Sequence, residues 1–164
     1  MIFQWKKFAV TVSTVALLSV GVQPGLAQDH AHSHEAAGPA QLTLNNGQKW
    51  LTDDKLRLGM NRIRDALAAE LPAIRAGKTT VKQYRVLAQK TNEQIAFMVQ
   101  NCKLEPKADA MLHLLLADIS AGADAMQAIK GSEARKGAEK IEHALENYGT
   151  YFDHPGWHGA KHGH

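Results

Sequence analysis

Four stretches of the chain repeat apolar residues at alternating intervals of three and four, and no other feature limits the fold so strongly. In the first, Leu56, Met60, Ile63, Leu67, Leu71 and Ile74 recur at spacings of 4, 3, 4, 4 and 3, which puts them on one face of a helix. Val81, Tyr84, Ala88, Thr91, Ile95 and Met98 make the second stripe. Ala108, Leu112, Leu115, Ile119, Gly122, Met126 and Ile129 make the third, and Ala134, Ala138, Ile141, Leu145, Tyr148 and Phe152 the fourth. The spacing predicts helices over about 52–76, 80–101, 106–130 and 132–152.

The punctuation agrees. Thr52 is a candidate N-cap, with Asp53 and Asp54 in the first turn, where the helix dipole favours negative charge. Pro72 should kink the last turn of that helix, and Gly77 should end it. Thr80 with Gln83 has the form of a capping box, Pro106 suits a first helical turn, Gly131 should end the third helix and Ser132 should cap the fourth. His154-Pro155-Gly156 stops the fourth, because a residue before proline avoids the helical region.

Each stripe is narrow and can be buried only against the others. An all-α, antiparallel up-down-up-down bundle over 50–153 is therefore the expected architecture. With 6% aromatic residues, and runs rich in Val, Ile or Thr confined to the first twenty positions, a sandwich or barrel is excluded. A length of 164 residues allows one such domain.

The segment before it reads differently. Lys6-Lys7, an apolar run from Phe8 to Val22 and the small residues Gly25 and Ala27 form a secretory signal over 1–27. The run is short of the roughly 20 residues a spanning helix needs, so no membrane anchor is expected after cleavage. Loss of the two lysines lowers the formal charge from +3 to +1, which removes any case for nucleic-acid binding. A periplasmic or secreted location follows. Residues 28–49 read as a flexible lead-in, and 154–164 as a histidine-rich tail.

The bundle topology gathers the start of helix one, the connection between helices two and three, and the end of helix four at one pole. Both tails belong there. His30, His32 and His34 thereby join His154, His158, His162 and His164, seven of the chain's nine histidines. Such tracts point to metal binding: imidazole suits copper, nickel and zinc, with copper(II) bound most tightly. Cleavage before Gln28 would also put His30 in third position behind a free amine, the arrangement a square-planar copper(II) or nickel(II) site requires.

Cys102, the only cysteine, lies at the same pole with Met98 and Met111 near it, a candidate soft-metal set. Simple core packing of the methionines is the plainer account. His113 reads as a boundary residue and His143 as a solvated one, while Trp50 and Trp157, with Tyr148, Tyr151 and Phe152, read as a hydrophobic plug.

LRLGMNRIRDAL in helix one and AEKIEHALENYGTYF in helix four resemble the small periplasmic four-helix-bundle b-type cytochromes. The resemblance implies haem held near this pole, with Met60 as one axial ligand. The helix-four histidine position falls on Gly149, so the resemblance is to a haem-less relative, or to one using Met60 with His154. No CxxCH is present for covalent haem.

The sequence thus predicts a non-enzymatic metal-binding protein that buffers, delivers or sequesters copper, or alternatively nickel or zinc, and passes it to a transport or metalloenzyme partner. Asp65 and Glu70 fall beside the apolar stripe, and no nucleophile–base pairing is visible. A haem electron-transfer protein and a chaperone-like interaction module are the alternatives.

Overall fold

The computed structural model describes residues 41–127 and 130–159, which form a four-helix bundle. Strand β1 (Trp50–Leu51) leads into α1 (Asp54–Arg75); α2 (Val81–Asn101), α3 (Pro106–Met126) and α4 (Gly131–Tyr151) follow, and strand β2 (Phe152–Asp153) leaves the last helix. Among the described residues no helix is long and apolar enough to cross a membrane.

The four stripes make the core. Every stripe residue of α1 is buried, as are Tyr84, Ala88, Thr91 and Met98 of α2 and the whole stripe of α4 as far as Phe152. In α3 the stripe is buried as far as Met126, while Ile129 lies outside the described residues. Each fully buried Leu or Ile contributes roughly 1.5–3 kcal/mol of hydrophobic stabilisation. Val81 and Ile95 are only half-buried, and Leu87 is buried in addition, because the apolar face of α2 is wider than a single line of residues. Thr91 hides its hydroxyl by donating to the Leu87 carbonyl at 2.9 Å.

Several helix ends follow the punctuation. Gly77, at φ 67°, closes α1 with Lys78 N–H on the Ala73 carbonyl at 2.9 Å and its own N–H on Ile74 at 3.0 Å, and the helix runs through Pro72 to get there. Thr80 and Gln83 form the expected capping box. Others differ. The N-cap of α1 is Asp53, whose Oδ1 accepts from Leu56 N–H at 2.7 Å, because the Thr52 hydroxyl is engaged elsewhere. The third helix ends at Met126, in a tight turn between Gln127 N–H and the Asp124 carbonyl, rather than running to 130. Lys130, not Ser132, occupies the N-cap of α4.

Two glycines bring the backbones of α3 and α4 into contact. A Cβ on Gly137 would lie 2.5 Å from the Gly122 carbonyl oxygen and 2.8 Å from Met126 N; one on Gly122 would meet Ile141 Cγ1 at 2.6 Å. Backbone thus rests on backbone. Between α1 and α2 the equivalent contact is softer, since a Cβ on Gly59 would meet only the Met98 side chain.

Candidate functional site

One pole of the bundle is closed by chain that folds back on it from both ends. On the N-terminal side Asn46 (φ 50°) and Gly47 (φ 84°) both take left-handed conformations, and Asn45 and Gln48 exchange backbone hydrogen bonds of 2.8 and 2.9 Å. This tight type I′ turn is the one that Asn-Gly favours. Part of the expected flexible lead-in is therefore ordered. Leu42 packs on the core, and the Trp50 indole donates to the Thr43 carbonyl at 2.6 Å.

On the C-terminal side α4 gives way to β2, which pairs in parallel with β1, Trp50 opposite Phe152 and Leu51 opposite Asp153. The Thr52 hydroxyl donates to the Asp153 carbonyl at 2.6 Å, and Lys49 Nζ donates to the Gly149 carbonyl at 2.6 Å. Lys49 thereby supplies the cation that the last turn of α4 lacks. Trp157 N–H then returns to the His154 carbonyl at 3.0 Å with Gly156 at φ 75° between them, the Pro-Gly pattern of a type II turn. His154-Pro155-Gly156 does more than stop a helix: it reverses the chain.

The reversal seats three rings. Trp157 meets Tyr148 edge-on with centroids 4.7 Å apart, Phe152 stacks on Tyr148 at 5.3 Å, and the Arg64 guanidinium lies 5.2 Å from the Trp157 ring. His154 sits among them at 9% exposure. Its Nδ1 lies 3.0 Å from the Tyr148 hydroxyl and its Nε2 3.4 Å from Asn61 Nδ2. Burial, and then the Arg57 and Arg64 charges, hold the imidazole below its ordinary pKa against an opposing pull from Asp153. Burial likewise raises the Tyr148 hydroxyl above its usual value.

Asp53 ties the remaining connection to this pole. Beyond capping α1, its Oδ2 accepts from Lys103 N–H at 2.6 Å, so the α2–α3 link is fastened to the start of α1. Arg57 braces Thr52 by donating to its carbonyl at 2.8 Å and its hydroxyl at 2.9 Å, and pairs with Asp54. The Cys102 thiol is pushed up to about 12, first by burial and then by the Asp53 charge and hydrogen bond. A soft metal binds thiolate, not thiol, so this neighbourhood works against the Cys102, Met98 and Met111 set. Met98 is fully buried against Gly59, and Met111 Sδ accepts from the Thr43 hydroxyl at 3.7 Å.

The histidines divide sharply. His113 contacts the Asp109 carbonyl at 2.9 Å and its carboxylate at 3.3 Å, and His143 lies 3.5 Å from Glu146 with a largely exposed side chain. His154 belongs to the fold rather than to a free tail, because the Pro-Gly turn buries it and both ring nitrogens have partners; it leaves the ligand set. His158 is exposed. His30, His32, His34, His162 and His164, together with Gln28 and the 1–27 segment, lie outside the described residues. Among the described residues no three His, Cys, Asp or Glu side chains are grouped so as to hold a metal ion.

The residues at this pole do not fit a haem. Met60 is fully buried, but the position where the resemblance would call for an imidazole is Gly149, and a Cβ there would already collide with Trp157 Cδ1 at 2.7 Å. His154 is committed to Tyr148 and Asn61.

Asp53, Arg57, Asn61 and Arg64 are the pole residues that stripe counting passes over. Their spacing of 4, 4 and 3 was the available signal: a polar line running beside Leu56, Met60 and Ile63. No family model, curated protein or solved structure matches this chain.

Proposed function

We propose that this chain is an exported metal-binding protein, copper(II) favoured with nickel or zinc as alternatives, in which the bundle is the scaffold and the two histidine runs are the ligands. The runs supply His30, His32 and His34 from one end and His158, His162 and His164 from the other. The observation that carries the reading is the β1–β2 pairing, which fastens the chain leaving each end of the bundle to the same pole.

The chemistry is capture and release rather than catalysis. Neutral imidazole is the ligand, so affinity falls as pH drops through roughly 6.5 and the ion is displaced by protons. A transport or metalloenzyme partner would receive it. Equilibrium dialysis of the full chain, purified without chelator or tag, against copper(II), nickel(II) and zinc(II) tests the proposal. One or more equivalents of copper should bind at pH 7.5. Replacing all six run histidines with alanine should remove that binding while the helical circular dichroism stays unchanged. Binding that survives those six substitutions, or fails to weaken at pH 5, would overturn it.

A further inference from the structure

We infer that residues 152–157 are a pH-operated clasp: the neutral His154 ring locks them onto α1 and α4, and its protonation frees Trp157 together with the chain that starts at His158. This goes beyond the metal-binding reading and does not rest on it.

The lock is a matter of donor and acceptor count. A neutral imidazole has one N–H and one bare nitrogen. The Tyr148 hydroxyl, 3.0 Å from Nδ1, can accept from Nδ1–H, while Asn61 Nδ2, 3.4 Å from Nε2, can only donate and so suits a bare Nε2. A second proton would land on Nε2 and face the Asn61 amide, donor against donor. The charge would also be buried, with Arg57 and Arg64 of α1 nearby and Asp153 of β2 as the one opposing carboxylate among the groups acting on it. Tyr148, the ionisable group on α4, stays protonated and offers no compensating charge.

Phe152, buried against Tyr148, and the Thr52–Asp153 hydrogen bond anchor the start of the clasp, so the part that opens lies beyond Asp153, where Trp157 rests on Tyr148 and Arg64. The β pairing covers two residues, and the Trp157 indole Nε1 is buried without a hydrogen-bond partner, so releasing it regains hydration. The four stripes beneath contain no group that titrates near neutral pH, so the bundle should remain intact while the clasp opens.

Nuclear magnetic resonance on the metal-free full chain reads both halves of the device. The Trp157 indole N–H cross-peak, assigned with W157F, should sit at a buried position at pH 7.5. It should move to the solvent-exposed position below pH 6.5, with the same midpoint as the His154 ring C2–H signal. The Trp50 indole peak and the helical circular dichroism should stay unchanged. In H154Q the Trp157 peak should no longer respond between pH 7.5 and 4.5. A Trp157 midpoint that differs from that of His154, a response that persists in H154Q, or movement only alongside loss of helix would overturn the clasp. Should H154Q fail to fold, agreement or disagreement of the two midpoints in the native chain still decides. Metal is absent throughout, so this result and the dialysis result stand or fall separately.

Discussion

The α3–α4 seam and the pole are both closely packed, but by different physics. At the seam Gly122 and Gly137 let two uncharged helix backbones touch, and the ion pair beside them, Lys140 to Asp118 at 2.8 Å, lies at the exposed edge. At the pole, aromatic rings, a buried imidazole, a carboxylate that serves both an N-cap and a loop, and two guanidiniums share the work. Shape holds the first and polar matching holds the second. A seam of that kind tolerates pH and salt but not an added methyl group. The pole should tolerate modest changes of shape, yet respond to any change in who donates and who accepts.

The seam gives the largest expected effect. Helix propensity alone favours replacing Gly137, since glycine costs about 1 kcal/mol in a helix interior relative to alanine. Gly137→Val nevertheless drives side-chain carbons into the Gly122 carbonyl and Met126 N, and neither backbone atom can swing aside as a side chain could. Overpacking should dominate, with a net loss of about 3 kcal/mol that is the same at pH 5 and pH 8. Urea denaturation at the two pH values measures it. A stabilised variant would mean that the helices part easily, and that the seam is no more rigid than the Gly59–Met98 contact.

At the pole the counterpart is Tyr148→Phe, which keeps the ring and its stacking on Phe152 but leaves His154 Nδ1 without a partner in a buried site. An orphaned buried donor should cost about 2 kcal/mol at pH 7.5, again read by urea denaturation. The two variants differ in kind. Gly137→Val adds atoms where no polar group is lost, whereas Tyr148→Phe removes one oxygen and leaves the packing nearly intact. If the loss in Tyr148→Phe fell below a few tenths of a kcal/mol, polar matching would not be what holds the pole.

The same division explains how much of the molecule was legible in the sequence. Stripes at three- and four-residue spacing depend only on helix geometry, so the four helices, the buried faces and the convergence of three connections at one pole could be read directly. Local turn chemistry was legible too, yet its consequence was not. Asn46-Gly47 and Pro155-Gly156 are strong turn signals, but a flexible lead-in and a free tail carry the same residues as a chain that folds back. Which one forms depends on what the returning segment meets: Trp50 and Trp157 find surfaces that exist only once the helices are assembled. The burial of His154 was hidden for the same reason. Its partners, Asn61 and Tyr148, lie 93 and 6 positions away, and no periodicity links them.

The smallest effect concerns a contact at the edge of the pole. Lys49 reaches the Gly149 carbonyl from outside α4, placing an exposed ammonium at the negative end of that helix, whose last turn has no basic residue of its own. Lys49→Met keeps most of the side chain's length and removes the charge and the donor. The expected loss is about 0.5 kcal/mol at low ionic strength, since an exposed charge at a helix terminus is worth only a few tenths to 1 kcal/mol. Salt should shrink it further, because the Debye length falls to about 3 Å at 1 M and the charge is then screened from the helix end. Thermal melts of both proteins in dilute buffer and in 1 M sodium chloride measure the difference. A gap in Tm that narrows with salt marks Lys49 as an electrostatic cap on α4. A gap that stays constant would assign the contact to geometry instead, and so move this corner of the pole into the same class as the glycine seam.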